Sequence, residues 1–137
     1  MSTAPSPAVG DELPELVLEM TATRVVAGAI ATRDFMPVHH DRDYANQQGA
    51  PEMFMNILST NAYCGRYLTD WAGPDALVRS LSIRLGVPVF AGSTLRFNGK
   101  VTDVETIGEF LMVHVDLSAS NDLGDHATGT AIVEIPA

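Results

Sequence analysis

Two reactive side chains, Asp34 and His39, stand five residues apart in the stretch Thr32-Arg33-Asp34-Phe35-Met36-Pro37-Val38-His39-His40-Asp41. On one α-helix that offset would set them about 140° apart around the axis, so a shared task requires a non-helical backbone between them. Pro37 supplies it. Proline lacks an N–H, clashes with a preceding helical turn and pushes Met36 towards extended geometry, so 34–39 reads as a shaped loop. A carboxylate and an imidazole on such a loop can converge on one water molecule and move its protons. The competing reading is structural: a loop aspartate that caps the next helix and a histidine packed beneath it.

The elements around the loop follow from hydrophobic period. Downstream, Glu52 to about Trp71 reads as the main helix, with Phe54, Ile57, Leu58, Cys64, Tyr67, Leu68 and Trp71 at helical spacing. Ser59, Thr60, Ala62 and Gly65 are small enough for close backbone approach, and Gly73-Pro74 stops the run. Upstream, Leu16 to Met20 after Pro14 reads as a short strand, and Arg24 to Ala31 as a helix capped by Thr21 or Thr23. Asp43 to Gln48 gives one or two helical turns ended by Gly49. After residue 77 apolar and polar residues alternate in four runs, 80–85, 94–102, 111–119 and 126–135. Four such runs behind one long apolar helix predict an antiparallel sheet covering that helix, an α+β domain. Residues 1–10, with neither a basic start nor an apolar run, read as a flexible arm rather than a signal peptide, and 11–137 as one domain.

Composition narrows the partners. At 137 residues and 46% hydrophobic the chain can bury one core. No stretch reaches the length of a membrane span. A net charge of −9 argues against nucleic acid, whose phosphates need clustered Lys and Arg. Of the eight basic residues, Arg79, Arg84, Arg96 and Lys100 fall within one 22-residue segment, either as a local basic patch or as solvated strand positions. Arg33 beside Asp34 has the same two readings, an anion contact or a solvated salt bridge. The single cysteine, Cys64, cannot close an intrachain disulfide, sits in an apolar helical pattern and fits a reducing cytoplasm. No metal is expected: the side chains of His39, His40 and Asp41 diverge, and no further ligand set is spaced to close a shell. His114 and His126 are expected at the surface or behind the site, and Asp125 in a turn.

The Asp34 loop resembles the MaoC-like (R)-specific enoyl-CoA hydratases, whose motif runs Asp-x-Asn-Pro-x-His-x-Asp ahead of a helix. Here Asp34, Pro37, His39 and Asp41 match, Met36 replaces the Asn, and Thr32-Arg33 replaces a Ser-Gly pair. Pro88-Val89-Phe90-Ala91-Gly92-Ser93-Thr94-Leu95 is similar to the family's Pro-Val-x-x-Gly-Asp-Thr-Leu, with Ser93 for Asp. Within the family, segments such as Asn56-Ile57-Leu58, Thr69-Asp70-Trp71-Ala72-Gly73-Pro74 and Leu123-Gly124-Asp125-His126 look most like the small subunit of actinobacterial heteromeric steroid side-chain enoyl-CoA hydratases. The resemblance implies a hot-dog fold and hydration of a trans-2-enoyl-CoA to a 3-hydroxyacyl-CoA, with no cofactor beyond the coenzyme A thioester itself. It also implies a larger MaoC-like partner subunit, with a homodimer as the alternative.

Hydration needs a held water, a proton for C2 and stabilisation of the enolate oxygen. Asp34 and His39 are expected to provide the first two, Asp34 as base and His39 as orienting group and acid. By alignment with the family's His-Gly-Met, the third falls to the backbone N–H of Asn56 at the start of the main helix, where N–H groups are unpaired and the dipole is positive. The Asn56 side chain could narrow the pocket, add a contact or cap the helix. Phe54 and Tyr63 are expected to line the acyl site. Two rivals remain: a hot-dog thioesterase, disfavoured because Met53 to Thr69 contains no Asp or Glu, and a non-catalytic subunit that completes a partner's pocket, which would not need the Asp34/His39 pair.

Overall fold

The alternating segments become five strands of one antiparallel sheet. The computed structural model, which describes residues 6–137, orders them β1-β3-β4-β5-β2. β1 is Glu12–Met20, β2 Leu77–Leu85, β3 Ser93–Ile107, β4 Phe110–Asn121 and β5 Gly124–Pro136. Alternation places one side of each strand inward. Leu95, Phe97 and Val101 of β3, Val113, Val115 and Leu117 of β4, and Ala131, Val133 and Ile135 of β5 are buried in one core with Cys64, Tyr67, Leu68 and Ala72 of helix α3 (Ile57–Ala72). A long helix wrapped by an antiparallel sheet is the hot-dog arrangement. The two edge strands, β1 and β2, each pair on one side only.

Helix α1 (Ala22–Ala31) crosses α3, and Thr21 is its cap, accepting from the Arg24 N–H at 3.2 Å. A Cβ on Gly28 would overlap the Ser59 hydroxyl, so a residue without a side chain sets how closely α1 approaches α3. Helix α2 (Arg42–Gln47) is capped by Asp41, which accepts from Tyr44 N–H at 3.0 Å. Pro14 lies in β1 where the register shifts between Leu13 and Leu16, a bulge in which a missing N–H costs no ladder bond.

The structure corrects three boundaries. The main helix begins at Ile57, five residues later than its period suggests. Met53 to Met55 run extended, Phe54 bridging to Phe90, with Met55 N–H donating to Val89 at 2.9 Å and Ala91 N–H to Met53 at 2.8 Å. Ile57 and Leu58, expected on the buried face, are consequently 60% and 52% exposed. Residues 8–10, assigned to the arm, are held in place: Gly10 N–H donates to Val101 of β3 at 2.9 Å and Ala8 N–H to Asp11 Oδ2 at 2.8 Å, while residues 1–5 of the expected arm lie outside the described residues. Asp125 belongs to β5; the turn is made by Asp122 and Leu123, whose N–H bonds Asn121 Oδ1 at 2.9 Å. Among the described residues no helix is long and apolar enough to cross a membrane.

Candidate active site

The Asp34 loop is launched by the end of α1. Arg33 N–H bonds the Ile30 carbonyl at 3.1 Å and Asp34 N–H the Ala29 carbonyl at 2.9 Å, the paired closure that usually places glycine in the left-handed conformation. Here Arg33 adopts it, at φ 57°, with its side chain exposed. The reversal delivers Asp34 beside the beginning of α3. Met36 is extended, as a residue before proline should be, and Pro37–His39 form a single 3-10 turn that folds His39 under the loop until it is 8% exposed.

Asp34 and His39 therefore meet. His39 Nε2 lies 3.4 Å from Asp34 Oδ2, and His39 Nδ1 lies 2.7 Å from the Phe54 carbonyl oxygen. A carbonyl only accepts, so Nδ1 carries the proton, and a neutral His39 presents its Nε2 lone pair to the cleft. The Phe54 ring stands edge-on to the imidazole at 5.1 Å and fixes its plane. Two acceptors, Nε2 and the carboxylate, thus face one space. A water there would donate one hydrogen to each and turn its own lone pairs outward. As the neutral ring, His39 is an acceptor and can act as an acid only with a proton it has first received.

Asn56 joins this pair through its side chain. Its amide nitrogen donates to Asp34 Oδ2 at 3.1 Å and to Thr32 Oγ1 at 2.8 Å. Its amide oxygen caps α3, accepting from Ser59 N–H at 3.3 Å and from the Ser59 hydroxyl. Of the three roles open to this side chain, the structure exhibits two, the cap and an added contact, and the contact is to Asp34. The Asn56 bond and the Met36 N–H together hold the Asp34 carboxyl below its ordinary range, against the opposing effect of desolvation. The backbone N–H of Asn56 has no acceptor among the described residues, and those of Ile57 and Leu58 lie in the first turn, where no intrahelical partner exists.

The other expected residues divide. Phe54 is at the site through its carbonyl and ring. Tyr63, half-buried, lines a cavity of about 260 Å³ between α1 and α3 with Gly28, Ala31, Thr32, Ser59, Ala62 and Arg66. The four cations do not form one patch. Arg79 and Arg84 are on β2 and Arg96 and Lys100 on β3, with β4 and β5 between them, a separation of about 14 Å at the usual strand spacing. Arg79 pairs with Glu134 at 2.7 Å and Arg96 with Glu15 at 3.1 Å. Closeness in sequence misled here because β2 and β3, consecutive in the chain, are not neighbours in this sheet. His126 is not at the surface: it is 5% exposed, its Nε2 is 2.8 Å from Thr60 Oγ1 and its Nδ1 is 2.6 Å from the Val87 carbonyl. His114 is part-exposed beside Glu105 at 3.4 Å, and the two come together with Asp103 on the outer face of the β3–β4 ladder, a grouping that spacing alone did not suggest. Thr32, Ser59 and Gly28 behind Asp34 were also missed as site residues. Small polar residues at helix spacing were the available signal, and they read as packing. Glu52, the carboxylate that most closely precedes α3 in sequence, is occupied by Arg42 at 2.7 Å, which also holds its carboxyl below the usual range.

A hot-dog fold with an Asp/His loop packed on the first turn of its central helix defines a class, and the MaoC-like domain model matches residues 8–122; the chain belongs to that family. It is 48% identical over 122 residues to the 3-oxo-4,17-pregnadiene-20-carboxyl-CoA hydratase beta subunit of Mycobacterium tuberculosis, covering 89% of this chain and 92% of that one. Among solved structures, a chain of the ChsH1-ChsH2 complex from Mycobacterium tuberculosis superposes with a TM-score of 0.87 at 46% identity, covering 93% of this chain and 98% of the other. The (R)-hydratase of A. caviae involved in PHA biosynthesis shares the fold, with a TM-score of 0.85 at 22% identity over 97% of this chain and 100% of the other.

Proposed function

We propose that this chain is the catalytic subunit of an enoyl-CoA hydratase that adds water to a trans-2-enoyl-CoA with a bulky, steroid-like acyl group, giving the 3-hydroxyacyl-CoA. The observation that carries the reading is the facing pair, His39 Nε2 at 3.4 Å from Asp34 Oδ2, with the imidazole tautomer set by the Phe54 carbonyl. The water held between them bonds through oxygen to C3 as Asp34 takes one of its protons, while His39 accepts a hydrogen bond from the other. The C2–C3 π electrons move to the thioester, and the enolate oxygen that develops is met by the Asn56 N–H at the positive end of α3. The proton then passes from the Asp34/His39 pair to C2, so both groups add from one face. No cofactor enters this scheme.

The substrate class and the assembly come from the relatives, one named for a steroid carboxyl-CoA, the other a member of a two-protein complex. In keeping with a partner, Ile30, Phe35, Met36, Ile57 and Leu58 flank the loop and are all about half exposed or more. A larger MaoC-like subunit seated there would cover them and supply cations for the coenzyme A phosphates that a chain of net charge −9 is short of. Arg33, Arg84 and Lys100 are this chain's own candidates for those phosphates. A cytoplasmic location fits the acyl-CoA substrate and the unpaired Cys64. The rivals fare worse: a thioesterase would need Glu52 free, and an inert subunit would need no intact pair.

The test is loss of enoyl-thioester absorbance with a steroid side-chain enoyl-CoA, using the chain alone and co-expressed with a larger MaoC-like partner subunit. Hydration that is high in the complex and abolished by Asp34→Asn in this subunit is expected. Full hydration by a complex carrying that variant would overturn the reading.

A further inference from the structure

We infer that the side chain of Asn56, backed by Ser59 and Gly28, is a positioning residue that fixes the Asp34 carboxylate for the hydration proposed above, on which this inference rests. The amide is 1% exposed and uses all of its hydrogen-bonding capacity: two donors, to Asp34 Oδ2 and Thr32 Oγ1, and two bonds accepted, from the Ser59 N–H and hydroxyl. That set admits one orientation. Reversing the amide would turn its oxygen on a carboxylate that only accepts and its NH2 on a backbone N–H that only donates. Asp34 is thereby tied to the first turn of α3, the same turn that carries the backbone N–H assigned to the enolate. Base and oxyanion donor share one residue as their reference point, which holds their separation as the loop moves.

The support extends one layer further. Thr32 Oγ1, the second acceptor of the amide, itself donates to the Gly28 carbonyl at 2.8 Å, so the end of α1 is locked to the beginning of α3. Gly28 leaves the space that the Ser59 hydroxyl occupies, and any larger residue there would push Ser59 off the Asn56 oxygen. An aspartate with only solvent around it could rotate; here one carboxylate oxygen bonds the amide and the other the Met36 N–H at 3.3 Å.

Helix capping alone would explain an asparagine here, and the experiment separates the two roles. Ser and Asp cap helices about as well as Asn, but Ser is too short to reach Asp34, and Asp would face it with a second carboxylate. Asn56→Ser and Asn56→Asp, each in complex with the partner, should keep the wild-type melting temperature to within a few degrees. The kcat should fall at least ~10-fold with little change in KM, more for Asp than for Ser, and the acid limb of the kcat profile should move to higher pH. Carbon-13 NMR of the Asp34 carboxyl, titrated without substrate, should move in the same direction. Gly28→Ala should give a weaker version of both changes. Wild-type kcat in both Asn56 variants overturns the inference, as does a fall in kcat with an unmoved Asp34 titration. Should the wild-type complex hydrate no enoyl-CoA, the proposed function fails separately, and the Asp34 titration alone decides whether Asn56 positions it.

Discussion

At its cap and first turn α3 buries Asn56, Ser59 and Thr60, all polar and all hydrogen-bonded, whereas from Cys64 onward it buries Cys64, Tyr67, Leu68 and Ala72 against the sheet. At the first turn the partners are directional: Asn56 holds Asp34 at 3.1 Å, and Thr60 holds the His126 ring at 2.8 Å. From Cys64 onward they are not: Tyr67 lies against Phe97 with ring centroids 5.7 Å apart, and burial pushes the Cys64 thiol up to about 11 and the Tyr67 hydroxyl up to about 12, so both stay neutral. Hydrogen bonds specify where a group sits but add little net stability, and apolar burial does the reverse. One helix thus carries stability at one end and position at the other.

Substitutions in the two halves should therefore fail differently. The largest effect on stability is expected from Leu68→Ala, where a fully buried side chain leaves a cavity: a loss of about 2–5 kcal/mol in urea unfolding, with kcat per folded molecule nearly unchanged. A large drop in kcat at preserved stability would erase the distinction. At the other end, Asp34→Asn and His39→Ala should each lower hydration at least ~100-fold while the fold, followed by circular dichroism, survives. Activity within a few-fold of wild type in either would remove that residue from the mechanism.

The Asn56 backbone offers a sharper contrast. Its φ of −84° is close to what proline adopts, so Asn56→Pro and Asn56→Gly both remove the side chain while only the former removes the N–H. Asn56→Pro should be slower than Asn56→Gly by about 100-fold, the scale of one lost oxyanion donor. Equal rates would assign the enolate to another group.

A smaller effect is expected from His126, whose buried ring titrates below the ordinary histidine value of 6.5 because burial disfavours its charged form. The unfolded chain then binds the proton more readily than the folded one. Stability is complete above about pH 6.5 and declines as pH falls below it. Urea midpoints at pH 7.5 and 5.5 should differ for wild type and differ less for His126→Gln; an unchanged difference would mean the slope comes from other groups. The smallest change should come from Arg33→Gly, which relieves a left-handed backbone costing about 1 kcal/mol in a non-glycine residue. A slight rise in melting temperature with a raised KM for the enoyl-CoA is expected, and an unchanged KM would leave the arginine without a part in binding.

The amino-acid sequence by itself determined the class of fold, because period-2 alternation in 80–135 admits only strands with one buried face. It also determined the pairing of Asp34 with His39, because Pro37 forbids the helix that would part them. Those are local properties of the chain. The remainder was decided by contacts distant in sequence. Where α3 begins depended on Phe54 bridging to Phe90, which drew Phe54 out of a helical pattern it otherwise fits. The separation of Arg79 and Arg84 from Arg96 and Lys100 depended on strand order, which alternation does not encode. The hold of Asn56 on Asp34 spans 22 residues, and that of His126 on Thr60 spans 66. A short polar side chain reads alike in a sequence whether it caps a helix, meets solvent or orients a carboxylate, and only the folding of α1 onto α3 selects among these, by fixing which acceptor stands within hydrogen-bonding reach of its donor.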